Sequence, residues 1–141
     1  LGLEAASRGA ASVLLVEQHP RCAAAISAAA QRLKAPQVQV RTADALATAH
    51  TLARLGERFD IVFIDPPYDS AQQRVALQAA RPLVAAEGLV YVETDDSALF
   101  DTVDAEGWAV WRRGRAGQVH FALLRCSNAS TADAEGSAQN P

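Results

Sequence analysis

Methionine is absent from the 141 residues, cysteine occurs only twice, and neither sign of charge is in large excess. Cys22 and Cys126 share no metal-ligand spacing and are too few for a disulfide framework. Thiol-metal and disulfide-scaffold architectures are thereby excluded, and buried or idle thiols in a reducing, cytoplasmic setting are expected. The net charge of -3 lacks the basic surplus that a strong, sequence-blind grip on phosphates requires; a local basic patch remains compatible with it. No apolar run reaches the length needed to cross a bilayer, no stretch reads as a secretory leader, and no segment repeats. His19, His50 and His120 are scattered without ligand spacing, so no metal site is expected, and His120 reads as structural. The chain opens at Leu1-Gly2-Leu3 rather than at a methionine, which reads as a segment of a longer polypeptide.

What is present is a chain of one-domain length, half of it hydrophobic, enough to bury a sizeable core. Strand and helix patterns alternate along it. Leu1–Arg8 reads as the end of a helix stopped by Gly9. Ser12–Glu17 (SVLLVE) suits a strand buried on both faces. Pro20–Leu33 has helical apolar spacing at Ala23, Ile26, Ala30 and Leu33, with Pro20 in the first turn. Val38–Arg41 is a short strand, and Asp44–Leu55 a helix capped by Asp44 and closed by Gly56. Phe59–Ile64 (FDIVFI) is a second buried strand, Ser70–Ala86 a helix kinked or ended at Pro82, and Gly88–Thr94 (GLVYVET) a third buried strand. Ser97–Glu106 reads as helix, and Trp108–Arg112 and Val119–Arg125 as a closing strand pair around Gly114 and Gly117, with Trp108 and Trp111 as edge-strand packing. Residues 1–125 form the expected domain; residues 126–141, small and polar, read as a disordered tail. This alternation predicts an α/β domain with a mostly parallel sheet flanked by helices and an antiparallel hairpin at its edge. Ligands of such sheets bind beyond the carboxyl ends of the strands, so the residues just after each apolar run carry the interest.

The sharpest of these is Asp65-Pro66-Pro67-Tyr68, directly after FDIVFI. Two prolines cannot continue a central strand, so the chain must leave the sheet there. An exocyclic amine on a nucleobase is a poor nucleophile, because its lone pair is delocalised into the ring. Acceptors aimed at its two N–H groups localise that pair. The Asp65 carboxylate offers one acceptor and the Pro66 carbonyl another. Each proline fixes its own φ and restricts its predecessor, so the acceptors are preorganised. Tyr68 then offers an aromatic face for a base that has left its stack, worth roughly 1–3 kcal/mol. A rigid strand-to-loop turn would also use these residues; their conjunction at the ligand-binding edge favours function.

DPPY after FDIVFI resembles the catalytic motif of class I amino-methyltransferases. Together with LGLEAASRGAASVLLVE at the start and GQVHFALL near the end, it is similar to the bacterial 16S rRNA guanine-N2 methyltransferase family of RsmD type. The resemblance runs from Leu1 to about Leu124. It implies a Rossmann-like fold, S-adenosyl-L-methionine as methyl donor, and 16S rRNA or an assembling small ribosomal subunit as substrate, with the enzyme a monomer. It gives catalytic roles to Asp65, Pro66 and Tyr68, with Pro67 and Tyr68 against the substrate base and Asp65 also bordering the cofactor.

Glu17 ends the SVLLV strand, where an acid accepts hydrogen bonds from ribose hydroxyls in dinucleotide-type folds. The resemblance directs it to the ribose of the cofactor, with Gln18 bordering the adenine; a solvated strand-end acid or a cap for the helix at Pro20 is the other reading. Asp44 with Ala45 lines the adenine pocket by resemblance, and is equally a plain N-cap. Arg112, Arg113 and Arg115 form the one dense basic cluster, suited to phosphates, with Gly114 and Gly117 permitting close backbone approach, or else to a solvated hairpin end. Glu93 and Asp95 support the site from behind or belong to a polar loop.

Two alternatives compete. An adenine-N6 DNA methyltransferase shares DPPY, but needs a target-recognition region for which this chain has no room. A non-catalytic methyltransferase-like fragment would act as a binding domain. The family pattern places a strand and an acidic, glycine-rich loop before the LGLEA helix, where they hold the methionine end of the cofactor, and this chain starts after them. Weak binding of S-adenosylmethionine by the 141-residue chain is therefore expected. Titration calorimetry checks it, and micromolar affinity of the monomeric chain would overturn it.

Overall fold

The computed structural model describes residues 1–65 and 69–127. The chain divides into two compact units, Leu1–Glu57 and Arg58–Pro141. In the first, α1 (Gly2–Ser7), α2 (Pro20–Arg32) and α3 (Ala45–Arg54) pack on a parallel strand pair, β1 (Val13–Glu17) and β2 (Val38–Thr42). Pro20 opens α2 at its first turn, where its missing N–H costs no hydrogen bond. Asp44 caps α3, its Oδ1 accepting from the Ala47 amide at 2.8 Å. The buried residues are mostly small: Ala6, Ala23, Ala30 and Leu52. The expectation of a strand buried on both faces is corrected for β1, whose five residues are half-buried throughout. β2 is its one strand partner among the described residues.

The second unit is a four-stranded sheet in the order β3-β4-β6-β5, from β3 (Phe59–Ile64), β4 (Val84–Thr94), β5 (Trp108–Ala116) and β6 (Val119–Cys126). β3 and β4 are parallel; β6 runs antiparallel to both β4 and β5, so the hairpin forms the edge as the sequence predicts. α4 (Ser70–Ala80) ends in a 3-10 turn over Arg81–Leu83, because Pro82 has no N–H to continue the helix. Ser97–Glu106 is a correction: two 3-10 segments, Ser97–Asp101 and Val103–Glu106, stand where a helix was expected. Arg74 of α4 pairs with Glu106 and ties the second segment to the helix.

Strand alternation gives the sheet two unlike faces. Val90, Val92, Ala122 and Leu124 point to one face and pack with Leu77, Leu99, Phe100, Val103 and Trp108 in the core. Trp108 packs into the core from the edge strand β5 and is fully buried there. Tyr91, Glu93, Phe121, Leu123 and Arg125 take the alternate positions and so the opposite face. β3 also departs from expectation: Ile61 is 48% exposed and Phe63 38%, so this strand is not buried on both sides. Cys22 is exposed and Cys126 half-buried, so neither thiol is interior. Cys126 ends β6 rather than beginning a tail, and residues 128–141 lie outside the described residues.

Leu77 is fully buried. Leu77→Ala is expected to cost about 2–5 kcal/mol in urea denaturation, since the lost contacts leave a cavity. Leu55→Ala, at a position 71% exposed, is expected to stay within about 0.5 kcal/mol.

Candidate active site

The first unit gathers its four candidates at one end of its strand pair. Glu17 stands opposite Thr42 in the β1–β2 register. The Ala43 amide donates to the Glu17 carbonyl at 3.1 Å, which holds the carboxyl ends of the two strands together. Gln18 and the Asp44-Ala45 start of α3 follow directly. The half-buried Glu17 accepts from the His19 amide through Oε1 at 3.0 Å. That bond orients the carboxylate across the turn into α2. Asp44 uses Oδ1 for its cap. Gln18 and Ala45 are exposed. A strand-end acid set beside the N-terminus of a ten-residue helix offers carboxylate acceptors and backbone N–H groups at one place.

In the second unit Asp65 follows β3 and is exposed. Pro66, Pro67 and Tyr68, with the roles expected of them, lie outside the described residues. The β3–β4 register runs Phe63 to Tyr91 and Ile64 to Val92. One step further along the two parallel strands come Asp65 and Glu93. Around them is a cluster that the sequence reading did not assemble. Tyr91 Oη donates to Glu93 Oε1 at 2.8 Å. The Tyr91 ring meets Phe63 edge-on at 5.9 Å between centroids and stacks on Phe121 at 6.2 Å. Gly114 leaves room for that stack: a Cβ there would run into the Phe121 ring. The absent side chain is thus used by packing against Phe121. Gly117, at φ +62°, supplies the left-handed residue of the β5–β6 turn.

The Tyr91 phenol is pushed up to about 12, first by burial, then by its hydrogen bond to Glu93 and the Glu93 charge, and lastly by the charge of Asp65. The last cause sets Asp65 within electrostatic reach of the Tyr91–Glu93 pair. From the helix side the fully buried Gln73 donates through Nε2 to the Glu93 carbonyl at 2.7 Å. Glu93 is therefore fixed through both its side chain and its backbone. Asp95 is exposed. The signal for Tyr91 was present as the i, i+2 spacing of Tyr91 and Glu93 on one strand face, but its ring partners Phe63 and Phe121 come from other strands.

The three arginines are dense in sequence and divided in space. Arg113 pairs with Asp101 at 3.2 Å, and Arg115 Nε donates to the Gly117 carbonyl at 2.6 Å. Both line an open depression of about 400 Å³ with Ser97, Phe100 and His120. Arg112 instead lies over the ring of Trp111, 4.8 Å from its centroid. Among the described residues no group of three or more His, Cys, Asp or Glu is placed to hold a metal ion.

Alkaline titration followed by phenolate absorbance tests the cluster. Tyr91 is expected to ionise near 12, and Glu93→Gln to move it down toward the ordinary tyrosine value near ~10. A Tyr91 transition that does not move would show that Glu93 does not hold the phenol.

The comparisons agree on one family. A family model described as conserved hypothetical protein 95 matches residues 1–125. The chain is 32% identical over 137 residues to ribosomal RNA small subunit methyltransferase D of Escherichia coli K12, an alignment covering 96% of this chain and 67% of that protein. Among solved structures it is similar to the putative methyltransferase yhhF of Escherichia coli, with 31% identity, a TM-score of 0.78, and coverage of 90% of this chain and 70% of that one. A conserved hypothetical protein of Streptococcus pyogenes superposes with a TM-score of 0.76 at 26% identity, covering 89% of this chain and 78% of that one. The parallel strand pairs, flanking helices and antiparallel edge hairpin are those of the Rossmann-like α/β methyltransferases, and the chain belongs to the conserved hypothetical protein 95 family, that of ribosomal RNA small subunit methyltransferase D.

Proposed function

We propose that the protein transfers a methyl group from S-adenosyl-L-methionine to the exocyclic N2 amine of a guanine in 16S rRNA. It acts in the cytoplasm as a monomer, on the RNA itself or on an assembling small ribosomal subunit. The observation that carries the reading is the carboxyl end of β3, where Asp65 stands beside the Tyr91–Glu93 pair. Similarity to ribosomal RNA small subunit methyltransferase D of Escherichia coli supports small-subunit rRNA over DNA as substrate.

The cofactor supplies an electrophilic methyl on a sulfonium; the protein's residues do the rest. Glu17 accepts from the ribose hydroxyls, and Gln18, Asp44 and Ala45 border the adenine. Asp65 and the Pro66 carbonyl accept the two amine N–H bonds and localise the lone pair. Pro67 and Tyr68 present a surface on which the flipped base stacks. Once methylated, the amine carries a positive charge and loses a proton readily, so no strong general base is needed. Arg112, Arg113 and Arg115 take phosphates of the bound RNA. Keeping Tyr91 un-ionised preserves its hydroxyl as a donor, so Glu93 stays anchored while Asp65 faces the base.

Asp65→Ala is expected to lower the rate of methyl transfer to small-subunit rRNA on the order of 100-fold or more, the usual effect of removing one preorganised electrostatic partner. Asp65→Asn keeps one acceptor oxygen and is expected to fall between the two. The readout is incorporation of labelled methyl at saturating cofactor and RNA; with measurable transfer by the unaltered protein, an Asp65→Ala rate equal to it would end the proposed mechanism.

A further inference from the structure

The β5–β6 pairing shifts register at one point: Val110 pairs with Leu124, but Arg112 pairs with Leu123. Trp111 is the extra residue. In such a bulge two successive residues stand opposite one, and both turn to that residue's face. Leu123 lies on the face that carries Tyr91, Glu93 and Arg125, away from the core. The bulge therefore delivers Trp111 and Arg112 to that face. The contacts agree: the Trp111 ring has the Arg125 guanidinium 4.2 Å from its centroid and that of Arg112 at 4.8 Å. Trp111 is 42% exposed, and both arginines are exposed. Among the described residues neither arginine has an acidic partner within ion-pairing distance, whereas Arg113 has Asp101.

We infer that Trp111, Arg112 and Arg125 form an RNA-docking surface on the same sheet face as the Asp65 site, holding substrate RNA outside the catalytic centre. The inference rests on the proposed rRNA substrate for its ligand class. An exposed indole with two unneutralised guanidiniums offers planar surfaces for an unpaired base and N–H groups for phosphates. Positive charge without acidic partners is complementary to a polyanion, and in a chain of net charge -3 it is not a general surface property. Three strand spacings separate β5 from β3 in the sheet order, roughly 14 Å, and the register sets Arg112 level with Tyr91, two residues before Glu93 along the strand, or about 7 Å. That separation suits nucleotides flanking the flipped base rather than the base itself.

The test is binding of protein-free 16S rRNA transcript to the 141-residue chain across a salt series, with no cofactor present. Trp111→Ala is expected to weaken binding about tenfold, within the range of one lost stacking contact. Arg112→Ala with Arg125→Ala is expected to reduce the log–log salt slope by about 1.4, at ~0.7 for each phosphate contact to a single strand. Arg112→Lys with Arg125→Lys keeps the slope and loses affinity, because charge is retained and the planar stack is not. Unaltered affinity and slope in the alanine variants, with the parent chain binding RNA, would overturn the docking surface and leave the proposed reaction standing. Variants that lose affinity for a ribosomal protein but not for the transcript would also overturn it. A parent chain with no measurable affinity for the transcript would overturn the docking surface, and the proposed reaction would then require the assembling subunit as its substrate.

Discussion

Parallel hydrogen bonding between β3 and β4 is the constraint on which the candidate catalytic end depends. Its register sets Ile64 against Val92, so the next residues on each strand, Asp65 and Glu93, emerge side by side. A slip of one residue would reverse every side chain of one strand relative to the other. The Phe63–Tyr91 edge contact exists only in the observed register. Val90 and Val92 hold that register from the core face, since each is fully buried and a slip would expose both.

Glu93 shows how a strand-end acid becomes a fixed structural charge. Its side chain accepts from Tyr91, and its carbonyl accepts from Gln73. Gln73 is fully buried, a place where an amide is retained only if it finds partners. The hydrogen bond at Glu93 ties α4 to the end of β4, next to the point where β3 releases the chain into Asp65. Helix, strands and aromatic stack thus converge on one short stretch of sheet edge. The opposite face does different work: it buries Trp108, Leu124 and their neighbours and makes the unit cohere.

Much of the local architecture was legible in sequence. Each apolar run became a strand, and Asp44 became the cap that an aspartate before an apolar helix predicts. Pro82 ended the regular part of α4 as expected, but residues 84–86, expected as the end of that helix, open β4 instead. What misled was burial. SVLLVE and FDIVFI read as interior strands, yet β1 is half-buried and Phe63 and Ile61 are exposed. Hydrophobicity records what a residue tolerates, whereas burial depends on which neighbours cover it. Ser97–Glu106 failed for a different reason: Asp96 caps the first turn, but Thr102 interrupts the helical pattern and the segment settles into two short 3-10 pieces.

The chemistry divides along the same line. Residue order alone determined that a carboxylate, two prolines and an aromatic follow a strand, because proline geometry and strand periodicity act within a few residues. It also determined the family, since the motifs and their spacing are linear features. The tertiary structure decided which groups serve together. Three neighbouring arginines were separated, Arg112 drawn to Trp111 and Arg125, and Arg113 to Asp101. Tyr91 was joined to Glu93 and to rings from two other strands. The physical reason is that the face a side chain takes follows from strand pairing and from a single bulge. Both are set by hydrogen bonds between segments distant in sequence, which no local pattern encodes.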